Sequence, residues 1–179
     1  MPASKCCVIA VFFIASPLAA EVRGLYGSEC LPMDSLSETK DLLFKPETLE
    51  AVQTVYADLD CRIPAYDISY IGTYLVESGT QTLDYAYESI KLQVLDRRVA
   101  ATFNQVMLCG LNTWAVGENR EVAGHDCGGQ LIPALGTMIF DKMKLTPKGI
   151  QLGQTSEFLD GLSPASRPIE FDPHVYSAR

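Results

Sequence analysis

The sequence predicts a mainly β protein: an antiparallel β-barrel or half-barrel of lipocalin-like architecture, with one short helix and two disulfides. Three observations predict it. Several segments alternate apolar and polar residues at the two-residue period of a half-buried strand. Only one segment keeps a clear helical period. An even set of cysteines remains once an export leader is set aside.

The leader comes first. MPASKCCVIAVFFIASPLAA opens with one lysine, continues as an apolar run and ends in small residues at Ala19-Ala20. That order is the order of a secretory signal peptide, and the run is shorter than the roughly 20 residues of a membrane span. Residues 1–20 are therefore expected to be cleaved, and residues 21–179 to form a single β-barrel domain. The six cysteines then reduce to Cys30, Cys61, Cys109 and Cys127. In an exported chain these suggest two disulfides, for which three connectivities exist. The pairing with the shortest loops, Cys30–Cys61 and Cys109–Cys127, is the expected one. No Cys-x-x-Cys occurs, and one nearby histidine does not complete a ligand set, so no metal site is expected.

The elements follow in chain order. PETLEAVQTVYADL, Pro46 to Leu59, is ambiguous: Pro46-Glu47 resembles a helix start, yet Ala51, Gln53 and Val55 alternate with Val52, Thr54 and Tyr56. YDISYIGTYLVE, Tyr66 to Glu77, is rich in β-branched and aromatic residues and stops at Ser78-Gly79, a turn signal. LDYAYESIKLQVLD, from Leu83, is its expected antiparallel neighbour. RRVAATFNQVML, Arg97 to Leu108, places Val99, Phe103, Val106 and Met107 near helical spacing and ends before Gly110. Residues 137–154 read as a hairpin around Thr146-Pro147-Lys148-Gly149. The segments around Ser163-Pro164 and Asp172-Pro173 read as coil or edge, since proline cannot donate to a sheet ladder.

Charge narrows the partners. The net charge is −8 and no basic cluster exists beyond Arg97-Arg98, so nucleic acid and anionic membrane surfaces are poor candidates. Asn104, Asn112 and Asn119 all lack the hydroxyl that a glycosylation sequon requires. His125-Asp126-Cys127 invites a catalytic reading. Adjacency in sequence does not supply a base aimed at a nucleophile, however, and an oxidised Cys127 is no nucleophile. No nucleophile elbow, phosphate-binding glycine loop or metalloprotease motif occurs. No enzyme activity and no cofactor are expected. Tyr70, Tyr74, Tyr85 and Tyr87 form a stripe at strand spacing; together with Trp114 and Phe140 they are the candidate lining of a ligand cavity.

Four blocks carry a further signal: YADLDCRIPAYDISYIGTY, LDYAYESIKLQVL, CGLNTWAVGENREVAGHDC and RPIEFDPHVY, in that order. Together they resemble the adenomatosis polyposis coli down-regulated (Wnt-antagonist) domain family, from about Tyr56 to Tyr176, with the Cys-Gly-Leu…Trp…Gly…Cys block the most specific. The resemblance implies a disulfide-bearing barrel or half-barrel with an apolar cavity, and a strand rather than a helix over Thr48 to Asp58. Animal members of that family are membrane-anchored, two-domain glycoproteins that bind lipid and inhibit Wnt signalling. This chain shows one such region and no sequon, so the barrel and its cavity are the parts the resemblance transfers. The expectation is a secreted (extracellular or periplasmic) monomer that holds a lipid or other apolar small molecule, with an extracellular protein as a further partner. The alternative is a non-enzymatic interaction or structural module with a packed core.

Overall fold

The computed structural model describes residues 22–179 except 78 and 157, so the expected leader lies outside the described residues. Ten strands form one antiparallel sheet: β1 (Gly24–Gly27), β2 (Leu31–Met33), β3 (Leu36–Phe44), β4 (Thr48–Tyr56), β5 (Pro64–Glu77), β6 (Thr82–Val94), β7 (Asn119–Glu121), β8 (Met138–Thr146), β9 (Gly149–Leu152) and β10 (Ser177–Ala178). The sheet path runs β10-β1-β3-β4-β5-β6-β8-β9, with β2 beside β3 and β7 beside β6. Its two ends nearly meet. Tyr176 exchanges both backbone hydrogen bonds with Ile150 of β9, at 2.9 and 2.8 Å, while β10 pairs with β1. Residues 170–179 are thus the last stave of an almost closed barrel, in which the two ends of the sheet path among the described residues are bridged. Arg179 fastens that stave, with Nη1 3.0 Å from Asp41 Oδ1 and Nη2 donating to Ser28 O at 3.1 Å.

The ambiguous segment is a strand. In β4, Leu49, Ala51, Gln53 and Val55 face inward opposite Phe44, Leu42, Lys40 and Glu38 of β3. Pro46 sits in the turn that precedes it, closed by Lys45 N–H donating to Thr48 O at 2.9 Å. Helix α1 (Arg97–Val106) starts on Asp96, whose carboxylate accepts from the Arg98 and Val99 amides, an N-cap that satisfies two otherwise orphaned donors. It stops two residues before the predicted end because Met107 adopts the left-handed conformation, φ 53°. The proline-bearing tail is not free coil, since Tyr176 and its neighbours complete the sheet.

A bulge in β6 organises the interior. Tyr87 pairs with Gly72 and Ser89 with Ile71, leaving Glu88 without a partner in register. One extra residue inverts the alternation. On one side of the bulge Leu83, Tyr85 and Tyr87 point inward, and on the other Ile90, Leu92 and Val94 do. Gly72 faces this point, where an added Cβ would lie 2.1 Å from Ala86 O; only glycine permits that approach. Two cores result. The first, inside the barrel, joins Val22, Leu42, Phe44, Leu49, Leu83, Met143, Ile150 and Tyr176. The second joins Ile90, Leu92 and Val94 to Ala100 of α1, Cys109, Trp114, Val122 and Ile132.

Both disulfides form as expected. Cys30–Cys61 and Cys109–Cys127 close loops with separations of 31 and 18 residues. Bonds of this kind persist in an oxidising compartment rather than a reducing cytosol. Among the described residues no helix is long and apolar enough to cross a membrane.

Candidate functional site

A cavity of about 210 Å³ opens inside the barrel below the β6 bulge. Its floor is apolar: Leu42 and Phe44 of β3, Leu49 and Ala51 of β4, Leu83 of β6 and Leu152 of β9. Its upper wall is polar and aromatic, made of Lys40, Gln53, Tyr70, Tyr85, Tyr87 and Asp141. The bulge makes this wall. Without the extra residue at Glu88, strand alternation would turn Tyr85 and Tyr87 outward and leave Tyr70 without its neighbours.

The three tyrosines act as a unit. The Tyr70 and Tyr87 rings are 5.7 Å apart, and Tyr85 meets Tyr87 edge-on at 5.5 Å. Burial pushes all three hydroxyls up from the ordinary tyrosine range, so they are neutral hydrogen-bonding groups at any physiological pH. The one cation of the wall, Lys40, is compensated: its Nζ lies 2.8 Å from Glu38 Oε1, and the Gln53 amide donates to Glu38 Oε2. Asp141 stands apart. It is 8 % exposed, and its Oδ1 accepts from the backbone amides of Lys142 at 2.6 Å and Gly153 at 3.1 Å. Both of these bonds go to Oδ1, and Oδ2 accepts no hydrogen bond among the described residues. Burial raises its carboxyl to about 6, against the two amides and the nearby Arg167 that pull it down.

Of the six residues that the sequence nominates, the cavity gathers Tyr70, Tyr85 and Tyr87. The other three lie elsewhere. Tyr74 closes the barrel's lower end: it packs edge-on against Phe44 at 5.3 Å, and its hydroxyl donates to Lys45 O at 2.8 Å. Trp114 belongs to the second core, with its Nε1–H donating to Leu108 O and its ring edge-on to Phe103 at 5.8 Å. Phe140 points outward, because Ile139, Asp141 and Met143 take the inward positions of β8. The Arg167 guanidinium lies over the Phe140 ring at 5.5 Å. Sequence reading missed Asp141, Lys40 and Glu38, whose charges disguise inward positions. The only available signal was their place two residues from apolar partners: Glu38 follows Leu36, Lys40 precedes Leu42, and Asp141 falls between Ile139 and Met143.

His125 has no thiol nucleophile beside it. It is exposed, its Nδ1–H donates to Cys109 O at 2.8 Å, and Cys127 is oxidised. A second hollow of about 500 Å³ lies between α1 and the rim of β3–β5, lined by Leu36, Val55, Tyr66, Val99 and Phe103. It is the more open of the two. Its one carboxylate, Asp96, is committed to capping α1. Among the described residues no cluster of His, Cys, Asp or Glu could hold a metal ion. No protein-family model matches the chain, and no curated protein matches it.

Proposed function

We propose that this chain is an exported, non-enzymatic binding protein that holds one small amphiphilic molecule inside its barrel. The cavity carries the reading: an apolar floor beneath a few converging buried polar groups is the usual form of a small-molecule site. At about 30 Å³ per water, 210 Å³ is far more than a packed core leaves by accident. A 150 Å³ apolar cavity accepts benzene, so this one suits a body of about ten non-hydrogen atoms. That is a ring or a short chain; a longer lipid tail would have to leave through the wall. The resemblance to the Wnt-antagonist domain family supports the same reading, since it implies a barrel with an apolar cavity, and the apolar run at residues 1–20 supports export.

Six to eight buried methylenes contribute about 5–6 kcal/mol, corresponding to dissociation constants of roughly 50–200 µM for simple six- to eight-carbon probes. Calorimetric titration with hexanol and octanol tests this. Ala51→Phe fills the cavity from β4 and is expected to abolish binding while keeping the far-ultraviolet spectrum. Absence of binding by every apolar probe, with no small molecule in an organic extract of the purified protein, would overturn the proposal.

A further inference from the structure

Resting on that reading, we propose that the cavity selects a protonated amine as the polar end of its ligand and discriminates against carboxylates. The lining decides the sign. Among the lining residues Lys40 is the one cation, and Glu38 already neutralises it at 2.8 Å with its second oxygen taking the Gln53 amide. A ligand carboxylate would find no unpaired positive charge among the lining residues and would face the buried carboxylate of Asp141, while the charge of Lys40 is already taken up by Glu38. A ligand ammonium would find the opposite. Asp141 Oδ2 accepts nothing from the described residues, and the Tyr85 and Tyr87 side chains stand near it, with Tyr70 against Tyr87. Clustered aromatic rings attract cations through their quadrupoles, and their hydroxyls add neutral acceptors for N–H.

The charges around Asp141 leave it free for this role. On β8 itself, Lys142 turns its Nζ to Ile169 O at 2.8 Å, over the Phe171 ring. Lys144 also stands over that ring, at 5.1 Å. From β6, Asp84 is paired with Arg167 at 2.6 Å. Arg167 donates to the Asp141 backbone carbonyl and acts on the carboxylate only through space, without a hydrogen bond to it. Gly153, just past β9, contributes its amide, and residues 170–179 contribute Tyr176 and, beside that tyrosine, Asp172. Among the described residues no cation is therefore hydrogen-bonded to the Asp141 carboxylate itself.

The experiment compares hexylamine, hexanol and hexanoate by calorimetry at about pH 7.5 and about pH 5, in the wild type and in Asp141→Asn, whose Oδ1 still accepts the two backbone amides. We expect hexylamine to bind about tenfold or more tighter than hexanoate at the higher pH, one ion-pair interaction's worth. That preference should fall to about threefold or less at the lower pH and in Asp141→Asn, with hexanol changed by less than about twofold. Should the variant misfold, the wild-type pH series decides alone: a hexylamine constant equal at both pH values overturns the inference. Hexanoate binding as tightly as hexylamine at pH 7.5 overturns it too, while leaving the proposed function standing. If none of the three probes binds, the proposed function fails and this inference falls with it.

Discussion

Asp141→Asn is also a stability experiment, and its sign follows from the burial of one carboxyl. In the folded chain burial holds Asp141 at about 6, above the ordinary 3.8. The native state therefore binds more protons than the unfolded state between those two values. Stability falls as pH rises through that window and is flat above it. The cost of the charged form is about 1.4 kcal/mol per pH unit of separation, so roughly 3 kcal/mol at neutral pH. Asparagine removes the charge and keeps Oδ1 as acceptor for Lys142 and Gly153. The variant is expected to be more stable than the wild type by about 1–3 kcal/mol near pH 7.5 and equal to it near pH 4. For a chain of this size that corresponds to a urea midpoint about 0.5–2 M higher at neutral pH. Asp58, Asp96 and Asp160, whose carboxyls are held below the ordinary range by backbone amides, lose their contribution only at lower pH and are common to both proteins. Urea titrations across pH 4 to 7.5 read the difference directly. A difference that does not change with pH, or a variant less stable at pH 7.5, would refute the reasoning.

Three further perturbations test the framework that surrounds the cavity. Replacing Cys109 and Cys127 together by serine opens a loop of separation 18 and should cost about 3 kcal/mol, read by urea unfolding monitored through the sole tryptophan, Trp114. Asn104 donates to Trp114 O at 3.0 Å and accepts from Trp114 N–H at 2.6 Å, so Asn104→Ala should cost about 2 kcal/mol and shift the tryptophan emission to the red. Gly72→Ala places a Cβ 2.1 Å from the Ala86 carbonyl and should cost about 2–3 kcal/mol in thermal or urea unfolding, whereas Gly79→Ala, with nothing within 4 Å, should be nearly neutral.

The parts of the fold that were legible in sequence are those whose inward residues are apolar. Tyr66 to Glu77 is dense in β-branched and aromatic residues, the strand from Leu83 and the hairpin around Pro147 alternate over most of their length, and the structure places strands at each. β3 was illegible for the complementary reason. LSETKDLLF turns Glu38 and Lys40 inward, so its hydrophobic period begins only at Leu42. β1 and β10 are too short to carry a period, and their pairing rests on main-chain bonds and Arg179. The same logic governs the site. Tyr70, Tyr85 and Tyr87 were visible as a stripe, but the polar wall that gives the cavity its chemical character consists of residue types that sequence reading assigns to the surface. The bulge at Glu88 left no residue signature at all: Gly72, the residue that accommodates it, lies on the neighbouring strand.

The division of the interior into two cores explains how a hollow barrel holds its shape. An apolar cavity costs about 24 cal/mol per Å³ when nothing fills it, which for 210 Å³ is about 5 kcal/mol, comparable with the whole net stability of many domains. The two disulfides contribute about 3 and about 4 kcal/mol by constraining the unfolded chain, which offsets that cost. Their positions matter as much as their magnitudes. Cys109–Cys127 fixes the loop that lays Trp114 beside α1 over Ile90, Leu92 and Val94, so that this half of β6 is buried against a core of its own. Cys30–Cys61 ties the chain just ahead of β2 to the connection between β4 and β5, beside Ser37, whose Oγ accepts from the Cys61 amide at 3.2 Å. Both staples thus lie away from the cavity floor.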